Sequence, residues 1–177
     1  MGLKEKIWDL SKEYHQDVVS IRRHLHKNPE LSFHEYETSK FIQNKLYDYG
    51  ISFQSGIANT GVVALIEGKN PQSKCVGLRA DIDALPIQEL NNVDYCSVNK
   101  GVMHACGHDV HTASLLGVAR LLNKIKEEWE GSIKLIFQPA EEKFPGGASQ
   151  MISEGVLENP KVDKIIGQHV SPELQSG

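Results

Sequence analysis

The stretch that decides the fold is GSIKLIFQPAEE, residues 131–142. Its apolar run, residues 133–137, has the length and the side chains of a buried strand. A predicted helix precedes this strand at residues 110–125, another follows at residues 147–154, and a further strand is expected at residues 162–167. This alternation of strands and helices predicts an α/β domain whose helices pack on a mostly parallel sheet.

Two more helices are predicted nearer the amino terminus. Apolar residues spaced by three or four indicate an amphipathic helix over residues 7–25, and Pro29 ends it. Ser32 and Glu35 stand in the spacing of a capping box, so a second helix is expected to start there and to end at Gly50. We expect the first of these helices to cover the sheet.

Strands of the same domain are predicted between these two groups of helices. Short apolar and β-branched runs bounded by turn formers occupy residues 61–66 and 76–80. The polar segment 91–100 predicts a loop that returns the chain to one end of the sheet.

Composition excludes several classes of protein. The 177 residues carry a formal net charge of −4, which gives no electrostatic footprint for nucleic acid or anionic lipid. No apolar run approaches the ~20 residues of a membrane span, and the amino end lacks the apolar core of a signal peptide. We therefore expect a cytoplasmic protein with no nucleic-acid or membrane partner.

The three cysteines, Cys75, Cys96 and Cys106, are an odd and sparse set that does not predict a disulfide framework. A thiol with a chemical role is compatible with this number. A redox protein built around Cys106 is disfavoured, because the sequence has no Cys-x-x-Cys pair.

The densest cluster of chemically active residues is MHACGHDVH, residues 103–111, directly before a predicted helix. Thiolate and imidazole are preferred ligands of zinc and similar ions, and Gly107 permits a tight backbone between Cys106 and His108. The alternative is that Cys106 is a small buried apolar residue and that the histidines cap the helix. For the cluster as a whole, we favour metal ligation.

Adjacent carboxylates, Glu141 and Glu142, follow the strand at residues 133–137. Neighbouring side chains of an extended chain point in different directions, so one carboxylate can hold a metal while the other reaches a water. A solvated acidic pair that opens a loop is the alternative interpretation.

Two further groups of candidates follow predicted strands. Arg79, Asp81 and Asp83 lie at the end of the run 76–80, where they would orient metal ligands or form an ordinary salt bridge. His169 follows the strand predicted at residues 162–167. Each of these clusters falls where a predicted strand ends or a predicted helix begins, which is where α/β sheets place their ligands.

Five motifs in this order resemble the amidohydrolase branch of the binuclear metallopeptidase family of aminoacylases, hippurate hydrolase, carboxypeptidases and plant auxin-conjugate hydrolases. The motifs are RHLHKNPELS (23–32), LRADIDALP (78–86), HACGHDVHT (104–112), QPAEE (138–142) and GQHVSP (167–172). His24 and His26 lie in the first motif, and we interpret them as packing residues of the amino-terminal helix.

The resemblance implies a hydrolytic site with two divalent ions, of which Mn, Zn, Co and Ni all suit the ligands. It implies that Cys106, His108, Glu142 and His169 are metal ligands and that Glu141 is the general base. A metal-activated water would attack the amide of an N-acyl amino acid, a short peptide or a related small conjugate.

Asp81 stands, with Arg79, where other branches of the family have an Asp and a His near the metals. In this branch the resemblance implies that Asp81 supports the ligands rather than binding metal. No role follows for Asp109 or His111.

Members of the family are about twice as long as this chain. The resemblance implies that residues 1–177 are the amino-terminal part of the catalytic domain, without the lid or dimerisation domain and the carboxyl-terminal part, which holds a last histidine ligand. The alternative is a catalytically inactive remnant that binds metal or a partner chain. An uncovered sheet edge would favour association, including a homo-oligomer.

Overall fold

A computed structural model of the protein describes residues 2–175. Its secondary-structure elements follow one another in the order α1 Leu3–Lys27, α2 Tyr36–Asp48, β1 Phe53–Ile57, β2 Gly61–Glu67, β3 Cys75–Asp81, α3 His108–Lys124, a 3₁₀ turn Lys126–Glu128, β4 Ser132–Gln138, α4 Gly147–Ser153 and β5 Lys164–Gly167.

The strands form one sheet in the order β1-β2-β4-β3-β5. β3 pairs in parallel with both β4 and β5, whereas β2 pairs antiparallel with β1 and β4. Within the described part of the chain, β2 therefore runs against the other four strands. The prediction of an α/β domain with a mostly parallel sheet is confirmed.

Alternation along β4 divides the core between the two faces of the sheet. Leu135 and Phe137, both fully buried, pack in the main core with Leu116 of α3. Ile136 points to the other face and packs with Met151 of α4. Because these sites are fully enclosed, truncating Leu116 to Ala is expected to cost about 2–5 kcal/mol of stability.

The amino-terminal helix does not cover the sheet as we expected. α1 packs mainly against α3, and α3 lies against β3. Ile21 and Leu25 of α1 reach the main core along the side of α3. Burial of both faces of α3 explains why its apolar residues extend beyond one narrow stripe.

The capping box predicted for α2 is wrong. The helix begins at Tyr36, and the side chains of Ser32 and Glu35 are buried in contacts with distant residues. Ser32 Oγ donates to Asp83 Oδ2 at 2.6 Å, while Glu35 accepts hydrogen bonds from Thr60 and from the Ala140 amide. These tertiary bonds replace the local ones that a capping box would have provided.

Two strands differ from the sequence-based expectation. β1 was not predicted, because its central residues are polar or glycine and exposed, as an outer strand permits. β5 begins at Lys164, and all four of its residues are exposed at the opposite edge of the sheet. Segment 91–100 contains no helix or strand, as predicted. No helix among the described residues is long and apolar enough to cross a membrane.

Candidate metal centre

The carboxyl ends of β3, β4 and β5 meet at one edge of the sheet, because these strands run in parallel. The helix α3 begins at the same edge with His108. Arg79 and Asp81 lie in the last residues of β3, Asp83, Glu141, Glu142 and His169 follow β3, β4 and β5, and Cys106 closely precedes α3. The topology therefore places these side chains at one edge of the sheet.

His108 lies at the centre of this group and is fully buried. Its Nδ1 lies 2.9 Å from the main-chain oxygen of Asp83, so Nδ1 carries the proton and donates it. Its Nε2 has no hydrogen-bond partner within residues 2–175. A buried nitrogen with a free lone pair, oriented by a hydrogen bond at the other ring nitrogen, is the arrangement of a metal-binding histidine.

Carboxylates surround the free nitrogen of His108. Its Nε2 lies 3.7 Å from Asp81 Oδ1, 3.9 Å from Glu141 Oε2 and 3.7 Å from Glu142 Oε1. Burial alone would lower the pKa of His108, but the hydrogen bond to Asp83 and the charges of Asp81 and Asp83 outweigh it and raise the pKa. The same anionic surroundings favour a bound cation.

The other predicted ligands, Cys106, Glu142 and His169, and the predicted base Glu141 lie around His108. Ligand atoms of Cys106, His108 and His169 all lie within 4.8 Å of one another, and the same is true of His108, Glu141 and Glu142. Cys106 Sγ is 3.3 Å from His169 Nε2. A thiol, two imidazoles and carboxylates within this radius form a donor set that suits zinc and similar divalent ions.

Without a cation, Cys106 is held in its neutral form. Burial and the carboxylates of Glu142 and Glu141 raise the pKa of the thiol to about 11. A thiol with so high a pKa is a poor nucleophile and a poor redox group, but a bound metal would deprotonate it. Gly107, which separates Cys106 from His108, has φ +84°, a backbone conformation that favours glycine.

Asp81 is held by two donors. Arg79 Nη1 donates to Asp81 Oδ2 at 2.6 Å, and His111 Nδ1 lies 2.6 Å from Asp81 Oδ1. Burial would raise the pKa of Asp81, but the hydrogen bond from His111 and the charges of His108 and Arg79 outweigh it and lower the pKa. Asp81, His108 and His111 are close enough to form a third group of donors. The 2.6 Å separation of Asp81 and His111 is that of a direct hydrogen bond.

Asp83 was expected, with Arg79 and Asp81, to orient metal ligands or to form a salt bridge, whereas no role was predicted for His111. The main-chain oxygen of Asp83 contacts His108, and its Oδ2 accepts a hydrogen bond from the Glu142 amide at 3.0 Å. Asp83 therefore joins the segments that follow β3 and β4. His111 stands three residues after His108 in α3, a spacing that puts both on one helix face. That spacing is the signal that would have identified His111.

A second buried cluster fixes the start of α3 to α1. His26 Nδ1 lies 2.8 Å from Asp109 Oδ2, and His26 Nε2 lies 3.0 Å from Glu89 Oε1. The hydrogen bond with Asp109 raises the pKa of His26. Burial opposes ionisation of Glu89, but hydrogen bonds from the Ser97 amide and from His26 lower its pKa to about 2. His24 stacks on Phe41, so neither histidine of the first motif contacts the candidate metal ligands.

A cavity of about 640 Å³ borders the cluster on the side of Cys106 and His169. Its wall includes the apolar side chains of Met103, Val110 and Val170. This volume is in the range of sites that bind small molecules.

Comparison with known proteins gives consistent matches over nearly the whole chain. The N-acyl-L-amino acid amidohydrolase of Geobacillus stearothermophilus is 46% identical over 174 residues, which is 98% of this chain and 46% of that relative. Thermostable carboxypeptidase 2 of Saccharolobus solfataricus is 49% identical over 100% of this chain and 45% of its own length. The chain thus spans about half the length of the relatives it matches.

Solved structures show the same likeness in three dimensions. The crystal structure of the Bacillus subtilis YXEP protein, described as a dinuclear metal binding peptidase from the M20 family, superposes with a TM-score of 0.85. The two are 45% identical, over 92% of this chain and 45% of that one. The family model for peptidase family M20/M25/M40 matches residues 77–177, more than half of the chain. The chain belongs to peptidase family M20/M25/M40.

Proposed function

We propose that the chain is the amino-terminal part of the catalytic domain of a metal-dependent amidohydrolase, which cleaves the amide bond of N-acyl amino acids or related small conjugates. The observation that carries this proposal is the free Nε2 of buried His108, which faces carboxylates and belongs to all three groups of potential ligands. The name of the relative from Geobacillus stearothermophilus supports this class of substrate.

Cys106, His108, Glu142 and His169 would hold the metal, in a site that takes two divalent ions when complete. Bound divalent ions would polarise the amide carbonyl and lower the pKa of a water molecule at the site. The donor set fits several ions, so Mn, Zn, Co and Ni all remain candidates.

Glu141 is assigned the proton transfers. Its side chain is 41% exposed, whereas that of its neighbour Glu142 is 24% exposed, so Glu141 is the more accessible of the two to water and substrate. One Glu141 oxygen lies 3.9 Å from His108 Nε2, at the edge of the proposed metal site. From this position Glu141 takes a proton from the attacking water and later delivers it to the leaving amine.

Hydrolysis of N-acetyl and N-benzoyl amino acids, with and without added Mn²⁺, Zn²⁺, Co²⁺ or Ni²⁺, tests this function. In a full-length protein that contains this chain, we expect metal-dependent hydrolysis and at least a ~100-fold lower kcat in Glu141→Gln, with unchanged metal content. Glu127→Gln, an exposed carboxylate in the 3₁₀ turn, is the matched control. An unchanged rate in Glu141→Gln would refute the proposed mechanism.

The exposed edge of the sheet favours a second candidate function. Ile165 and Ile166 of β5 are more than half exposed and lie on a strand whose outer side is unpaired within residues 2–175. An edge of this kind favours association with another chain. In this alternative, the 177-residue chain is inactive alone and binds metal or a partner, including a second copy. Sedimentation as a compact monomer with full activity would exclude it.

A further inference from the structure

The segment that follows β5 carries His169, a proposed metal ligand, yet residues 168–175 are exposed. A part-buried contact attaches this segment to α3: the Val170 amide donates to His111 Nε2 at 3.0 Å. The acceptor side of this hydrogen bond is shielded from water, because His111 is fully buried.

The protonation state of His111 follows from its two neighbours. A main-chain N–H can only donate, so Nε2 of His111 carries no proton and accepts. The ring proton is therefore on Nδ1, which donates to Asp81 Oδ1 at 2.6 Å. Asp81 is in turn held by Arg79, whose Nε donates to Gln138 at 2.8 Å. A continuous set of hydrogen bonds thus joins the ends of β3 and β4 to the segment after β5.

A second contact fixes Val170. Its Cγ2 packs over Gly107, at the point where a Cβ would otherwise lie. The adjacent His169 is oriented by its own Nδ1, which lies 2.6 Å from the Val170 main-chain oxygen, and its Nε2 faces Cys106 Sγ. The position of Val170 therefore determines where His169 points.

His111 itself has no nitrogen free to bind metal, because Nδ1 is used by Asp81 and Nε2 by Val170. His108 differs in this respect, since its Nε2 has no partner among the described residues. The two buried histidines of α3 thus divide into one that can ligate and one that cannot.

We propose that His111 is a positioning residue, which holds the main chain at Val170 and thereby places His169 against Cys106 and His108. This inference rests on the proposed metal centre and adds to it a residue outside the ligand set. Histidine is suited to this role because it joins a carboxylate on one side to a main-chain amide on the other.

Substitutions of His111 that separate its two hydrogen bonds test the proposal. The amide of Asn reaches the position of Nδ1 and keeps the bond to Asp81, whereas the amide of Gln reaches the position of Nε2 and keeps the acceptor for Val170. Thr112→Val is the matched control, because it removes a buried hydrogen bond to the Asp81 main chain on the same helix. Amide hydrogen exchange at Val170 is measured without metal, and Co²⁺ affinity is measured by titration.

In His111→Asn we expect Val170 exchange to be about tenfold faster, and Co²⁺ affinity to be about 10- to 100-fold weaker. His111→Gln is expected to retain both properties to within a few-fold, and Thr112→Val to change neither. Unchanged exchange at Val170 in His111→Asn would overturn the proposal. A second result would also overturn the proposal: the Gln and Asn variants lose the same amount of Co²⁺ affinity, although Val170 is still protected in the Gln variant. That result would mean that His111 itself binds the metal.

The exchange measurement and the Co²⁺ titration separate this proposal from the proposed function. If the wild-type protein takes up no Co²⁺, the metal centre is refuted. The exchange comparison then decides alone whether His111 holds the segment.

Discussion

Replacing Gly107 with Ala tests how the metal centre is assembled, because this glycine separates two proposed ligands and supports a third. Its φ of +84° is unfavourable for any residue with a Cβ. An added Cβ would also overlap Val170 Cγ2. The substitution therefore strains the backbone between Cys106 and His108 and displaces the segment that carries His169.

The chain offers a matched control that isolates the backbone effect. Gly155 has φ +83°, and a Cβ added there would meet no atom within 4 Å. Both Ala variants are expected to lose about 1–2 kcal/mol of stability from the left-handed conformation alone. Gly107→Ala carries the additional overlap with Val170 Cγ2, so Val170, whose amide contacts His111, must also shift.

The expected result is a difference in metal affinity that stability does not explain. We predict that Gly107→Ala weakens Co²⁺ binding by at least ~10-fold, the loss typical when the support of a ligand is removed, whereas Gly155→Ala leaves it within a few-fold of wild type. Titration monitored by Co²⁺–thiolate absorption and urea denaturation of both variants are the measurements. Equal Co²⁺ affinities for the two variants would refute the assembly described here.

Three other perturbations address separate parts of the structure. Asp83→Asn is expected to weaken divalent-metal binding by about 10- to 100-fold, measured by calorimetry, because it removes the carboxylate charge that lies 3.3 Å from His108 Nδ1 and that accepts the hydrogen bond from the Glu142 amide. Glu89→Gln is expected to lower the free energy of unfolding by its largest amount above pH 4.5, and by less as the pH falls towards 2. The pKa of Glu89 is lowered in the folded protein, so its carboxylate stabilises the fold only while it is charged. Urea denaturation over this pH range measures it, and a loss that is constant with pH would contradict the ionic role. Chelation of metal is expected to lower the free energy of unfolding by about 2.7 kcal/mol if the ion was present at 100 times its Kd, and thermal unfolding with and without chelator checks this.

Most of the fold follows from local patterns in the sequence. The apolar runs that became β2, β3 and β4 are short and bounded by turn formers, and their burial in the sheet is what such runs predict. The failures have two causes. The strand β1 was missed because its central residues are polar or glycine and exposed, whereas the capping box was wrong because long-range contacts override a local signal. Ser32 and Glu35 have the spacing of a helix cap, but Asp83, Thr60 and the Ala140 amide offer them buried tertiary partners instead.

The sequence predicts the roles of some residues of the candidate site but not of others. Cys106, His108 and Glu142 belong to motifs whose residue types already indicate metal chemistry, and the parallel strands bring them to one edge. The spacing after His108 places His111 at the site, but its role was not predictable, because its partner is the main-chain amide of Val170, which every residue type except proline provides. Contacts with the main chain leave no signature in the residue types of the partner.

Metal content per chain tests the central claim most directly, since the whole account depends on a divalent ion held around His108. Elemental analysis after dialysis, on the wild-type protein and on Cys106→Ala, is the measurement. The account predicts at least one divalent ion per wild-type chain and a clear loss in the variant. An absence of bound metal in the wild-type protein, or equal retention in both proteins, would contradict it.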